Sequence, residues 1–139
     1  MMKKISLLIV ILLLATPVFA QDTEQIDWLT NYTPPPTLLN PISGEVVAAK
    51  GDVIRFRWSS REGSYGSREN YDFRLYKGYS MSESALMLEK RLPAEAYQFN
   101  VNTDRFEHDQ MYTWAVRQTY SRIGPSEWQY TSFRVIKKQ

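Results

Sequence analysis

Residues 110–137 read QMYTWAVRQTYSRIGPSEWQYTSFRVIK, and their pattern decides the fold. Tyr112, Trp114 and Val116 fall at every second position, with Thr113, Ala115 and Arg117 between them. Side chains alternate across a β-strand, so this spacing gives one apolar face and one mixed face. Ser121 to Ser126 then supplies turn chemistry, because Gly124-Pro125-Ser126 interrupts any regular run. The chain re-extends from Trp128 to Ile136. The stretch predicts two strands and the turn between them.

The same alternation recurs on the N-terminal side of this stretch. Ile54, Phe56 and Trp58 alternate with Arg55 and Arg57, which gives a strand with one wet face. Tyr71, Phe73 and Leu75 alternate with Asp72, Arg74 and Tyr76, and Tyr97, Phe99 and Val101 alternate with Gln98, Asn100 and Asn102. Thr37 to Lys50 is apolar but interrupted by Pro41 and Gly44, which suits a kinked edge strand. ALMLEKRL, residues 85–92, has helical propensity. Its neighbours are all strands and Pro93 closes it, so an edge strand is expected. Short strands in this number predict an all-β fold, a seven-stranded antiparallel β-sandwich over residues 37–137. The expected core is Leu39, Ile42, Ile54, Phe56, Trp58, Tyr71, Phe73, Leu75, Tyr97, Phe99, Val101, Phe106, Tyr112, Trp114, Val116, Phe133 and Val135.

The N-terminus follows a different logic. Lys3 and Lys4 precede an apolar run from Ile5 to Ala15, and Val18-Phe19-Ala20 places small residues at a cleavage site. Residues 1–20 are therefore expected to be a cleaved signal peptide, with no membrane span remaining after cleavage. The expected location is the periplasm, the cell surface or the medium. Cleavage removes two of the 17 basic residues and no acid, which balances the 15 acidic ones. Capture of nucleic acid by bulk charge is thus not expected. There is no cysteine, so an exported domain of this sequence must hold its core without disulfides. Residues 21–36 are polar and then proline-rich, and read as a spacer. Trp28 and Tyr32 are unexpected in a spacer and make it a possible docking segment.

These features together resemble a fibronectin type III or closely related immunoglobulin-like domain, in its bacterial exported form. Leu39-Asn40-Pro41-Ile42-Ser43-Gly44 is similar to the family's kinked opening strand. Gly51-Asp52 followed by Phe56-Arg57-Trp58 is similar to its second strand and core tryptophan. Phe106 followed by Tyr112 resembles its strand-entry tyrosine, and Ser126-Glu127-Trp128 before Phe133 and Val135 resembles its last strand. Phe106 stands where leucine is usual, and Asp109-Gln110 replaces an expected glycine. The resemblance implies a tyrosine corner, in which the Tyr112 hydroxyl bonds back to the crossing loop.

Chemistry of the catalytic kind has little to stand on. Without cysteine there is no thiol nucleophile and no thiolate metal site. His108, the only histidine, sits between Glu107 and Asp109 in a polar crossing and reads as a solvated loop residue. No catalytic residue, metal or cofactor is expected. The resemblance places the third, sixth and seventh strands in one sheet. Their outward residues include Arg74, Tyr76, Arg117, Trp128, Tyr130 and Arg134. Arginines and rings interleave there, either as a structural ladder or as a partner-binding face, since Trp, Tyr and Arg are common interface anchors. Thr113 and Ala115 between them suggest a shallow groove. The expected function is a non-enzymatic binding module for a protein of the cell envelope or surface. A small carbohydrate-binding module, with a glycan on Trp128, Tyr130 and Tyr76, and an immunoglobulin-like protease inhibitor are the alternatives.

Overall fold

The computed structural model describes residues 32–62 and 66–138. Trp28 and the signal-like segment lie outside the described residues. The strands are β1 (Thr37–Asn40), β2 (Glu45–Ala48), β3 (Val53–Ser59), β4 (Arg68–Lys77), β5 (Leu86–Pro93), β6 (Gln98–Asn102), β7 (Gln110–Tyr120), β8 (Gly124–Pro125) and β9 (Gln129–Lys137). One sheet has the order β1-β3-β6, and the other β2-β9-β7-β4-β5 with β8 paired to β7. With β1 and β2 taken as halves of one opening strand, and the two-residue β8 set aside, these are the seven strands of a β-sandwich. Among the described residues no helix is long and apolar enough to cross a membrane.

The opening strand changes sheets at its kink. β1 pairs antiparallel with β3, whereas β2 pairs parallel with β9, the one parallel ladder among the described residues. Ser43 (φ 42°) and Gly44 (φ 76°) make the turn between them. Glycine occupies this left-handed region without a Cβ clash. Residues 85–92, ambiguous by propensity, resolve into a single 3₁₀ turn at Glu83–Ala85 and the edge strand β5. Tertiary pairing with β4 overrides helical preference there.

The inward positions of β3, β4, β7 and β9 meet between the sheets. Phe56 lies at the centre, with its ring edge-on to Phe73 (5.2 Å), Trp114 (5.1 Å) and Phe133 (5.7 Å). Such tilted pairs match the positive ring edge to the negative ring face. Tyr112 closes the crossing loop as the resemblance implied. Its hydroxyl accepts the Glu107 backbone N–H at 2.7 Å, and its ring stands at 87° to Phe106.

Three expected core residues are instead exposed. Leu39 (44%) and Ile42 (53%) face solvent, and Leu38 is buried in their place. Leu38 lies opposite Trp58, and the register shifts immediately after it, so the inward phase falls one residue earlier than the apolar run suggested. Tyr97 (42% exposed) precedes β6 and leans on the rim of Tyr71 rather than entering the core. Phe99 is partly buried against Phe73.

The packed unit begins at Thr33 rather than at Thr37. Pro34 and Pro36 are buried. The fully buried Gln118 side-chain amide donates to the carbonyls of Pro34 and Arg61, both at 2.7 Å. Thr33 Oγ1 donates to the Gly124 carbonyl. The end of the stretch read as a spacer therefore lies on the sandwich.

Candidate functional site

The cross-strand register places the outward side chains of the larger sheet in rows. Arg91, Asp72 and Arg117 are opposite one another on β5, β4 and β7. Val116 pairs with Gln129, so Trp128 arrives beside Arg117 at the end of the same row. The next row is Glu89, Arg74, Ala115 and Tyr130, and the one after it contains Tyr76, Thr113 and Ser132.

Asp72 ties the first row together. Its two carboxylate oxygens accept Nε–H of Arg91 and Nε–H of Arg117, each at 2.9 Å. Burial alone would raise its pKa, but the hydrogen bonds and charges of the two arginines outweigh burial and hold it below the usual carboxylate value. In the second row Arg74 Nε donates to Glu89 Oε2 at 2.6 Å, and an Nη donates to the Tyr76 hydroxyl at 3.4 Å. Burial would lower the Arg74 pKa, and these two partners more than reverse that. The guanidinium carbons of Arg74 and Arg117 both lie 4.6 Å from the centre of the Trp128 ring. The rows are thus locked to each other through one indole, with both guanidinium groups in cation–π contact with it.

This brings Arg74, Arg117, Trp128 and Tyr130 onto one continuous surface. Tyr130 is 60% exposed, whereas Tyr76 is covered, with 2% of its surface open. Thr113 and Ala115 are buried as well, so the shallow groove expected over them is filled by the larger side chains around it. Thr113 Oγ1 also lies 2.7 Å from the Gly78 carbonyl and from Ser132 Oγ. Arg134 sits further along β9, opposite Met111 and Glu45, and is paired to Asp109 at 2.8 Å rather than to the ladder. Tyr32 is exposed (55%). The carboxylates that organise the face, Asp72 and Glu89, were absent from the sequence-based site. Asp72 stands at an outward position of an alternating strand, but which cations it meets depends on register, which no single strand discloses.

His108 is exposed, and its Nδ1 accepts the Lys137 backbone N–H at 3.0 Å. Among the described residues no group of three or more His, Cys, Asp or Glu is placed to hold a metal ion.

No protein-family model matches the sequence, and no curated protein matches it. Solved structures do match in shape. The fibronectin(III)-like modules of Clostridium thermocellum CbhA superpose with a TM-score of 0.53 at 12% identity, covering 75% of this chain and 99% of that one. A computationally redesigned β-sandwich protein superposes with a TM-score of 0.51 at 13% identity, covering 77% and 98%. At such identities the likeness concerns backbone architecture, and with the split opening strand, the core tryptophan and the tyrosine corner it establishes the described chain as a fibronectin type III-like, immunoglobulin-like β-sandwich.

Proposed function

We propose that this domain is an exported, non-enzymatic module that docks a protein of the cell envelope or surface through the sheet face around Trp128. The observation that carries the reading is the exposed Tyr130 ring beside an indole held by Arg74 and Arg117. An interface benefits when its anchor side chains are ordered before binding, because less rotamer freedom is lost on association. Arg117, Arg74 and Trp128 are ordered in this way by Asp72, Glu89 and one another. Exposed charge at the margin, Arg91 and Glu89, would form a polar rim around Tyr130.

The glycan reading is less well supported. A sugar-stacking platform needs several open rings, and of Trp128, Tyr130 and Tyr76 the last is covered and the first is engaged by two guanidinium groups. The test compares wild type with Tyr130→Ala as baits in envelope extract. A protein retained by wild type and lost by the variant, with unchanged thermal unfolding, supports the reading. Retention of no specific protein, or equal retention by both baits, overturns it.

A further inference from the structure

The far end of β9 carries a second surface of different chemistry. Lys137 and Lys138 reach it there, nine residues from the Trp128 end of the strand. With Lys50, His108, Thr103 and Asp104 they line a cleft of about 330 Å³. Whole-chain charge conceals this cluster, because acids and bases balance once the N-terminal lysines are set aside.

The frame of the cleft is pinned by backbone bonds. Lys138 N–H donates to the Ala48 carbonyl at 2.9 Å, and Lys137 N–H to His108 Nδ1 at 3.0 Å. Thr103 N–H donates to the Asp52 carbonyl at 3.0 Å, and Asp52 accepts the Ala49 N–H. These bonds hold three segments, the turn after β2, the 3₁₀ turn at Thr103–Arg105 and the end of β9, around one space. Because Nδ1 of His108 is an acceptor, the neutral ring carries its proton on Nε2, a further donor.

The charges are unspent. Arg74, Arg91, Arg117, Arg134 and Lys77 are all paired to carboxylates, whereas Lys50, Lys137 and Lys138 form no ion pair among the described residues. Asp104 is the only carboxylate in the lining and likewise forms no ion pair among the described residues. Three cations against one carboxylate in the lining, with the Asp52 carboxylate behind it engaged by the Ala49 N–H, concentrate positive potential in a concave space. We infer that this cleft binds a compact oxyanion of the phosphate type, free or as the repeating unit of a polyphosphate chain. Lysine suits such a ligand as a mobile point charge, and the His108 Nε2–H adds a directional bond.

The test follows backbone amide shifts of the full chain during titration with inorganic phosphate, then with short-chain polyphosphate. Saturable shifts confined to Lys50, Thr103, Asp104 and Lys138 are expected, with affinity falling steeply as sodium chloride rises. The Lys50→Ala/Lys138→Ala double variant should bind at least tenfold more weakly. Asp104→Asn removes the one carboxylate of the lining and should bind more tightly, a gain that loss of fold cannot imitate. Saturation by phosphate itself identifies a free-ion site, and saturation by polyphosphate alone a chain site. Shifts of equal size at Lys77 and Lys90, no saturation with either probe, or an Asp104→Asn variant that binds no better would each overturn the inference.

Discussion

Trp114 on β7 donates its indole N–H to the Pro41 carbonyl at 2.8 Å, joining the central strand of the larger sheet to the kink where the opening strand changes sheets. The two residues are 73 positions apart in sequence, and the bond is buried. Trp114→Phe should therefore cost more than its loss of ring area, because the Pro41 carbonyl keeps its burial and loses its donor. About 1–3 kcal/mol is expected for that orphaned acceptor. Trp114→Ala adds a cavity beside Phe56 and Phe73 and should cost about 3–5 kcal/mol. Urea unfolding of both variants measures the difference, and a Trp114→Phe variant as stable as wild type would show the bond to be energetically idle.

Tyr112→Phe isolates a second tie, a local one across the crossing loop. The substitution keeps the ring against Phe106 and removes only the acceptor for the Glu107 N–H. A loss of about 1 kcal/mol is expected, the net worth of one partly buried hydrogen bond. Thermal unfolding should shift downward, with the folded far-UV spectrum unchanged.

The strand faces were legible in sequence because period-two alternation is local. Tyr112, Trp114, Val116, Phe133 and Val135 are inward as their spacing required, and the family resemblance at Phe106 and Tyr112 implied the tyrosine corner. Leu39 and Ile42 were misplaced because Pro41 breaks the alternation, and a broken strand loses its phase. The ladder was half legible. Outward arginines and rings were visible, but the bonds of Asp72 to Arg91 and Arg117 depend on the register of three strands. Gln118 could not be found at all, since its role rests on carbonyls 84 and 57 residues away.

Gln118 supplies the next prediction. Its buried amide holds Pro34 and Arg61. Gln118→Ala should destabilise by about 2–4 kcal/mol, as two carbonyls lose a donor and a cavity opens. A chain that starts at Thr37, and so lacks Pro34 and Pro36, should lose stability too, whereas one that starts at Thr33 should not. Equal unfolding midpoints for those two chains would refute the packed role of the prolines.

Trp128 and Arg117 should be energetically coupled. A double-mutant cycle with Trp128→Ala and Arg117→Ala should give a coupling of about 0.5–1 kcal/mol, the range of exposed cation–π pairs. Arg117→Ala should cost more than Arg91→Ala, because Arg117 is the less exposed partner of Asp72 and also meets the indole. Coupling indistinguishable from zero would mean that the indole and guanidinium are merely adjacent.

The ladder also makes stability depend on acid. An unfolded aspartate titrates near about 3.9, and Asp72 in the fold titrates lower because Arg91 and Arg117 outweigh its burial. The unfolded chain therefore takes up the proton first as pH falls. The stabilisation from ionised Asp72 is complete above the unfolded value and is lost as pH descends through the folded value. Asp72→Asn removes this titration while keeping the side-chain shape. The stability gap between wild type and Asp72→Asn should be constant from about pH 7 to pH 5 and should narrow below about pH 4. Denaturant midpoints measured at each pH report the gap directly, and a gap that stays constant down to about pH 2 would show that the two arginines do not stabilise the carboxylate.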